Sequence, residues 1–170
     1  RQRQMCIRRQ ELKDAQDQKA YVENLQKDSD DRKIKCETQI NTLSQSLKAC
    51  EGKIITEQNS FNSLENRIKT INIMLQGEGI SQQEREYLEA QLADTQASRD
   101  ASKNQIDAYM KEYNKLKEEK ESWEDNLETV NANLASLKKM QADADERLQS
   151  AETAVKQAQA AFEEAQTKYD

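Results

Sequence analysis

The chain has 170 residues, 34% of them charged, 35% hydrophobic and 5% aromatic, with three glycines, no proline and a formal net charge of -6. So little apolar and aromatic material argues against a large three-dimensional core, and the negative balance disfavours DNA, RNA or anionic lipid as the main partner, because phosphate recognition needs a positive surface. No apolar run approaches the roughly eighteen residues of a membrane span, and the opening Arg1-Gln2-Arg3-Gln4 carries neither a signal-peptide pattern nor a Met, so the chain reads as a fragment or a processed product.

The first predicted element is a helical arm over residues 1–76. From Cys36 the spacing alternates four and three without a fault: Cys36, Ile40, Leu43, Leu47, Cys50, Ile54, Glu57, Phe61, Leu64, Ile68, Ile71, Leu75. Eleven of these twelve positions are apolar or Cys, where a 35% apolar content would place about four by chance. This is a heptad seam, the pattern of coiled-coil packing. Carried backwards over residues 1–35, the same register keeps Met5, Leu12, Ala15 and Val22 but meets Arg8, Lys19, Gln26, Ser29 and Lys33. That section has a weak seam. Asp28-Ser29-Asp30-Asp31 marks a soft place in it, where fraying or another register is expected.

The arm ends at a break, Leu75-Gln76-Gly77-Glu78-Gly79-Ile80-Ser81. Gly77 stands where a left-handed residue commonly closes a helix. Ser81 with Glu84 makes a Ser-x-x-Glu capping box, the signature of a new helix start. A turn at 77–80 between two such signals predicts an antiparallel hairpin. A single continuous rod with a glycine-softened kink is the competing reading.

The second arm, residues 81–170, is more regular. From Leu88 to Tyr169 there are 24 consecutive seam positions in one register, and nineteen are apolar. They include Tyr109, Tyr113, Leu116, Trp123 and Phe162; the exceptions are Thr95, Arg99, Ser102, Lys120 and Gln141. A disordered chain would not hold a register over so many turns. Beyond Ala142 the seam alternates small and large residues, which lets helices approach closely and leaves room for additional ones. The registers of the two arms differ by three residues across the glycines. A hairpin resets that slip, whereas a continuous coil would have to overwind.

Pairing the arms about residue numbers that add to 156 sets Leu43 against Tyr113, Leu47 against Tyr109 and Cys50 against Ile106. It also sets Glu57 against Arg99, which would join a mismatched charge in each arm as a register-fixing pair. Each arm would extend roughly 110–130 Å at about 1.5 Å per residue, and the second would outrun the first by about a dozen residues. The expected fold is all-α: a long antiparallel coiled-coil hairpin whose leftover seam, with Phe162 and Tyr169, associates into a larger helical bundle. Opposite net charges, +3 over residues 1–76 and -9 over 77–170, favour laying the arms side by side.

No catalytic constellation emerges. Histidine is absent, and Cys6, Cys36 and Cys50 have no metal-ligand spacing. Cys36 and Cys50 lie about 21 Å apart on one straight helix, beyond disulfide reach. Each of the three reads as a small seam or surface residue, or as one half of an interchain disulfide, with Cys6 off the seam and exposed. Acidic clusters at 28–31, 118–125 and 143–146 lack the calcium-loop pattern with its central glycine. They read as solvated faces, with weak multi-site calcium binding as the alternative.

The non-Met start, the paired heptad arms around Gly77–Gly79, the scattered Cys6, Cys36 and Cys50, and the Ala/Gln-rich run from Ala142 to Gln166 together give the chain a style that resembles the trichocyst-type matrix proteins of ciliate secretory organelles. The resemblance implies a small, acidic, processed coiled-coil polypeptide packed into an expandable crystalline lattice. It further implies a secretory granule or extracellular structure as location, and expansion triggered by calcium. Without it, a cytoplasmic setting is expected. The sequence thus points to a non-enzymatic structural protein that self-assembles with its own copies or other coiled-coil chains. The alternative is a tether or adaptor segment of a cytoskeletal or chromosome-associated protein.

Overall fold

The computed structural model describes residues 2–169. It is an all-α helical hairpin of two helices packed on each other, α1 (Gln2–Leu75) and α2 (Gln82–Tyr169), with no strand among the described residues. The absence of proline lets both helices run without a break. The hydroxyls of Thr38, Thr56, Thr70, Thr95, Thr129, Thr153 and Thr167 each donate to the carbonyl four residues back. A β-branched polar residue is thereby accommodated inside a helix without an orphaned hydroxyl.

The connection joins the two ends differently. At the end of α1, Gln76 N donates to the carbonyls of Asn72 (3.1 Å) and Ile73 (3.2 Å), and Gly77 N to that of Met74 (3.2 Å). The bonds to Ile73 and Met74 span three residues; they tighten the last turn and satisfy carbonyls that a helix end leaves open. Gly77 was expected to be the left-handed closing residue, but the positive φ belongs to Gly79, at 86°. The helix ends at Leu75, the tightened turn follows it, and the left-handed residue comes two positions after Gly77. What Gly77 supplies is space: a Cβ there would lie 3.2 Å from the Met74 carbonyl oxygen. Ser81 caps α2 as expected, its Oγ accepting from Glu84 N at 3.1 Å.

The chain forms two units. The turn unit is Gln39–Trp123, and the terminal unit comprises residues 2–38 and 124–169. In the turn unit Leu43, Leu47, Cys50, Ile68, Ile71, Thr95 and Ser102 are buried. All are seam positions.

Interhelical contacts set the register there. Cys50 Sγ donates to the Tyr109 carbonyl and Ser102 Oγ to the Glu57 carboxylate, pairs whose numbers add to 159; Arg99 with Glu65 and Tyr113 with Glu51 add to 164. The two contacts at 164 lie eight residues from an alignment at 156 and exclude it. A seam that alternates four and three repeats only after seven residues, and the next such alignment is 163. It sets Arg99 level with Leu64, beside Glu65, and Tyr113 level with Cys50, beside Glu51. Cys50 and Ser102 then reach diagonally to Tyr109 and Glu57.

The expected Glu57–Arg99 pair is therefore replaced. Glu57 accepts from Ser102 Oγ at 2.8 Å, and Arg99 pairs with Glu65 and Asp100, each at 3.2 Å. Likewise Leu43 is not level with Tyr113, nor Leu47 with Tyr109; at the new alignment Leu47 faces Leu116. The cause lies at the turn. α2 starts beyond the end of α1, so Leu75 lies level with Leu88 rather than Ser81. This overhang places Arg85 Nη1 3.4 Å from the Leu75 carbonyl oxygen. α1 has no basic residue in its own last turn; Arg85 of the neighbouring helix supplies the cation that its C-terminus favours.

In the terminal unit, the section with the weak seam holds the most buried residues of the chain: Ala15 and Val22 are both 0% exposed. Residues 28–31 are helical, and Lys19, Gln26, Ser29 and Lys33 stay part-buried in the original register. The expected fraying or change of register does not occur. The polar seam residues are tolerated because long stems pack while their heads leave the seam: Lys19 Nζ meets Asp145 at 3.3 Å, beside Ala144 on the seam. Ala144 and Ala151 are buried too, which requires the facing helix to come close. Only Arg8 departs, exposed and paired with Glu11 on its own helix.

Candidate functional site

Most of the seam is covered by the partner helix, so apolar residues beside it are the ones left for another surface. In the turn unit, two apolar doublets place one residue on the seam and the next beside it: Ile54-Ile55 and Tyr109-Met110. Ile55 is 58% and Met110 49% exposed. Together with Glu51, Ile54, Gln58, Tyr113 and Asn114 they line an open groove of about 280 Å³. A second hollow of about 420 Å³, lined by Gln58, Phe61, Asn62, Lys103 and Ile106, adjoins it through the shared Gln58. One face of the turn unit thus carries a furrow of two adjoining hollows, apolar around Ile55 and Met110 and polar toward Asn62 and Lys103.

One pair that lines the groove makes a polar contact, and others lie near it along the seam. The Tyr113 hydroxyl donates to Glu51 Oε1 at 3.2 Å, and this hydrogen bond, aided by the carboxylate's charge, raises the phenol's pKa. Lys53 Nζ sits 5.7 Å from the centre of the Tyr109 ring, within cation–π range. Beneath them, the Cys50 thiol donates to the Tyr109 carbonyl at 3.3 Å. Burial raises the Cys50 pKa first, then the Glu112 charge; Lys53 opposes both. Further along the seam, Asp100 above all, and then Glu65, raise the pKa of the Arg99 guanidinium against the effect of burial. Among the described residues no buried side-chain nitrogen or oxygen lacks a partner, so the buried polar groups of the seam are satisfied.

The expected seam residues lie at several depths. Leu43 and Leu47 are buried, and Tyr109, Tyr113, Leu116, Trp123 and Phe162 are part-buried. Tyr169 is 90% exposed, because at the alignment of the two helices no described residue of α1 is level with it. All three cysteines are free; Cys36 and Cys50 are buried and Cys6 is exposed. A disulfide to another chain through either seam thiol would require the seam to open. Among the described residues no three His, Cys, Asp or Glu side chains gather as a metal site, and no helix is long and apolar enough to cross a membrane.

Sequence reasoning passed over Ile55, Met110, Ser102 and Arg85. The doublets were the available signal for the first two, since a second apolar residue next to a seam position has no place inside a two-helix core. Ser102 and Arg85 had no signal of their own: their roles depend on which residues the other helix presents.

Fold and surface together define a helical hairpin with an apolar groove beside its seam in the turn unit. No protein-family model, curated protein or solved structure matches the chain.

Proposed function

We propose that the chain is a non-enzymatic structural protein whose hairpins associate side by side into a bundle, filament or lattice. The observation that carries this reading is the apolar furrow around Ile55 and Met110, which stays open after the two helices have covered each other. Exposed apolar surface concentrated in a groove favours association with another helix. Buried, satisfied seam polar groups fit a scaffold rather than a reaction centre. The resemblance to trichocyst-type matrix proteins adds loose calcium binding by the acidic clusters and a secretory-granule setting to the same reading.

The test is light scattering and negative-stain electron microscopy of the purified chain across concentration, with and without calcium. Growth into bundles or ordered arrays is the expected result. A particle that stays at one small defined size under all these conditions would sink the reading in favour of a tether segment.

A further inference from the structure

Resting on that reading, we propose that the occupant of the Ile55–Met110 groove is the same groove of a second copy, the two chains laid end for end about a two-fold axis.

The argument is the order of residues along the furrow. At the alignment of the helices, Glu51 and Asn114 lie at one end of the furrow, Ile55 and Met110 in its middle, and Lys103 and Asn62 at the other end. One end is acidic with an amide, the other basic with an amide, and the centre is apolar. A surface with this order is complementary to itself when reversed. Turning a second copy end for end brings its Lys103 end over the Glu51 end of the first, and the reverse contact follows by symmetry. It also brings the apolar centres together. A two-fold contact requires such self-complementarity, and a groove with charge of one sign throughout would repel its own copy. The opposite charges sit at the rim, where they set orientation, while the apolar centre supplies the affinity.

Within one chain Glu51 and Lys103 are about nine residues apart along the axis at this alignment, roughly 13 Å by the helical rise. They do not pair with each other, and the charge-swap test depends on that separation. Sedimentation velocity over a concentration series would compare the parent chain with Ile55→Glu, Met110→Glu, Glu51→Lys, Lys103→Glu and the double swap Glu51→Lys/Lys103→Glu. Circular dichroism would confirm that helix content is kept, as expected for exposed positions outside the seam. Ile55→Glu and Met110→Glu should each weaken association about tenfold or more, the scale of losing one well-buried apolar anchor. Each single charge change should weaken it severalfold, and the double swap should recover most of that loss. Folded variants that associate like the parent, or a double swap no better than the singles, would overturn the groove contact. Assembly would then use another face, and the groove would be open to a foreign helix. A parent chain that stops at a dimer sensitive to these changes would keep the groove contact and overturn the assembly reading alone, and one that stays monomeric throughout would overturn both.

Discussion

The alignment of the helices can be tested through Glu57. Its carboxylate accepts from Ser102 Oγ at 2.8 Å, and Ser102 is 5% exposed. A hydrogen bond to a charged group contributes about 1.5–3 kcal/mol. Glu57 is only part-buried, which places this one at the lower end. In Glu57→Ala the Ser102 hydroxyl keeps a fallback, the Glu57 backbone carbonyl at 3.3 Å, so a mutant cycle isolates the carboxylate. The cycle compares Glu57→Ala, Ser102→Ala and the double mutant by urea denaturation at one fixed protein concentration, followed by circular dichroism. A coupling energy of about 1 kcal/mol is expected, within the range measured for residues in contact. A parallel cycle on Glu57 and Arg99 should be additive to within about 0.5 kcal/mol, since the two share no partner. By heat, a loss of about 1 kcal/mol in a chain of this size corresponds to roughly 2–4 °C in the melting temperature. If Glu57 couples to Arg99 more strongly than to Ser102, the helices are aligned one heptad away, and the packing described above is wrong.

Four further outcomes follow from local geometry. Gly79→Ala should destabilise the chain by about 1 kcal/mol, because φ is 86° there; Gly77→Ala should cost less, since only a 3.2 Å approach to the Met74 carbonyl must relax, and melting curves that reverse this order would contradict the turn geometry. Cys6 should react with a thiol reagent at mildly alkaline pH well before Cys36 and Cys50, and equal rates without denaturant would show that the seam opens. Because its folded pKa is raised, the Cys50 contribution to stability is fully present below the pKa of the unfolded thiol and is lost as pH rises through the folded value; denaturation midpoints should therefore fall as pH rises from the unfolded thiol's pKa to the folded one, and a Cys50→Ala chain should show less of the fall. In an ultraviolet titration Tyr113 should ionise later than an unperturbed tyrosine, and Glu51→Gln should bring it earlier by removing the carboxylate that accepts its proton; an unchanged curve would count against that hydrogen bond.

What the amino-acid order determined by itself was periodic and local. Two helices, their break at Gly77–Ser81, the cap at Ser81 and the depth of nearly every seam residue from Leu12 to Ala165 follow from heptad spacing, because each helix turn depends on residues three or four apart and a seam is read along one helix at a time. The pairing of the helices was not legible in this way. Alignments at 156 and 163 present the same alternation, and the choice between them rests on contacts between distant residues whose numbers add to 164: Arg99 beside Glu65 and Tyr113 beside Glu51. Ala15 and Val22 make the same point in the terminal unit. In sequence they sit in a poor stretch, yet they are fully buried, because the exposure of a small side chain depends on how near the facing helix comes. The groove belongs to both levels: its doublets are local, but only the packing of α1 on α2 brings Ile55 and Met110 into one furrow.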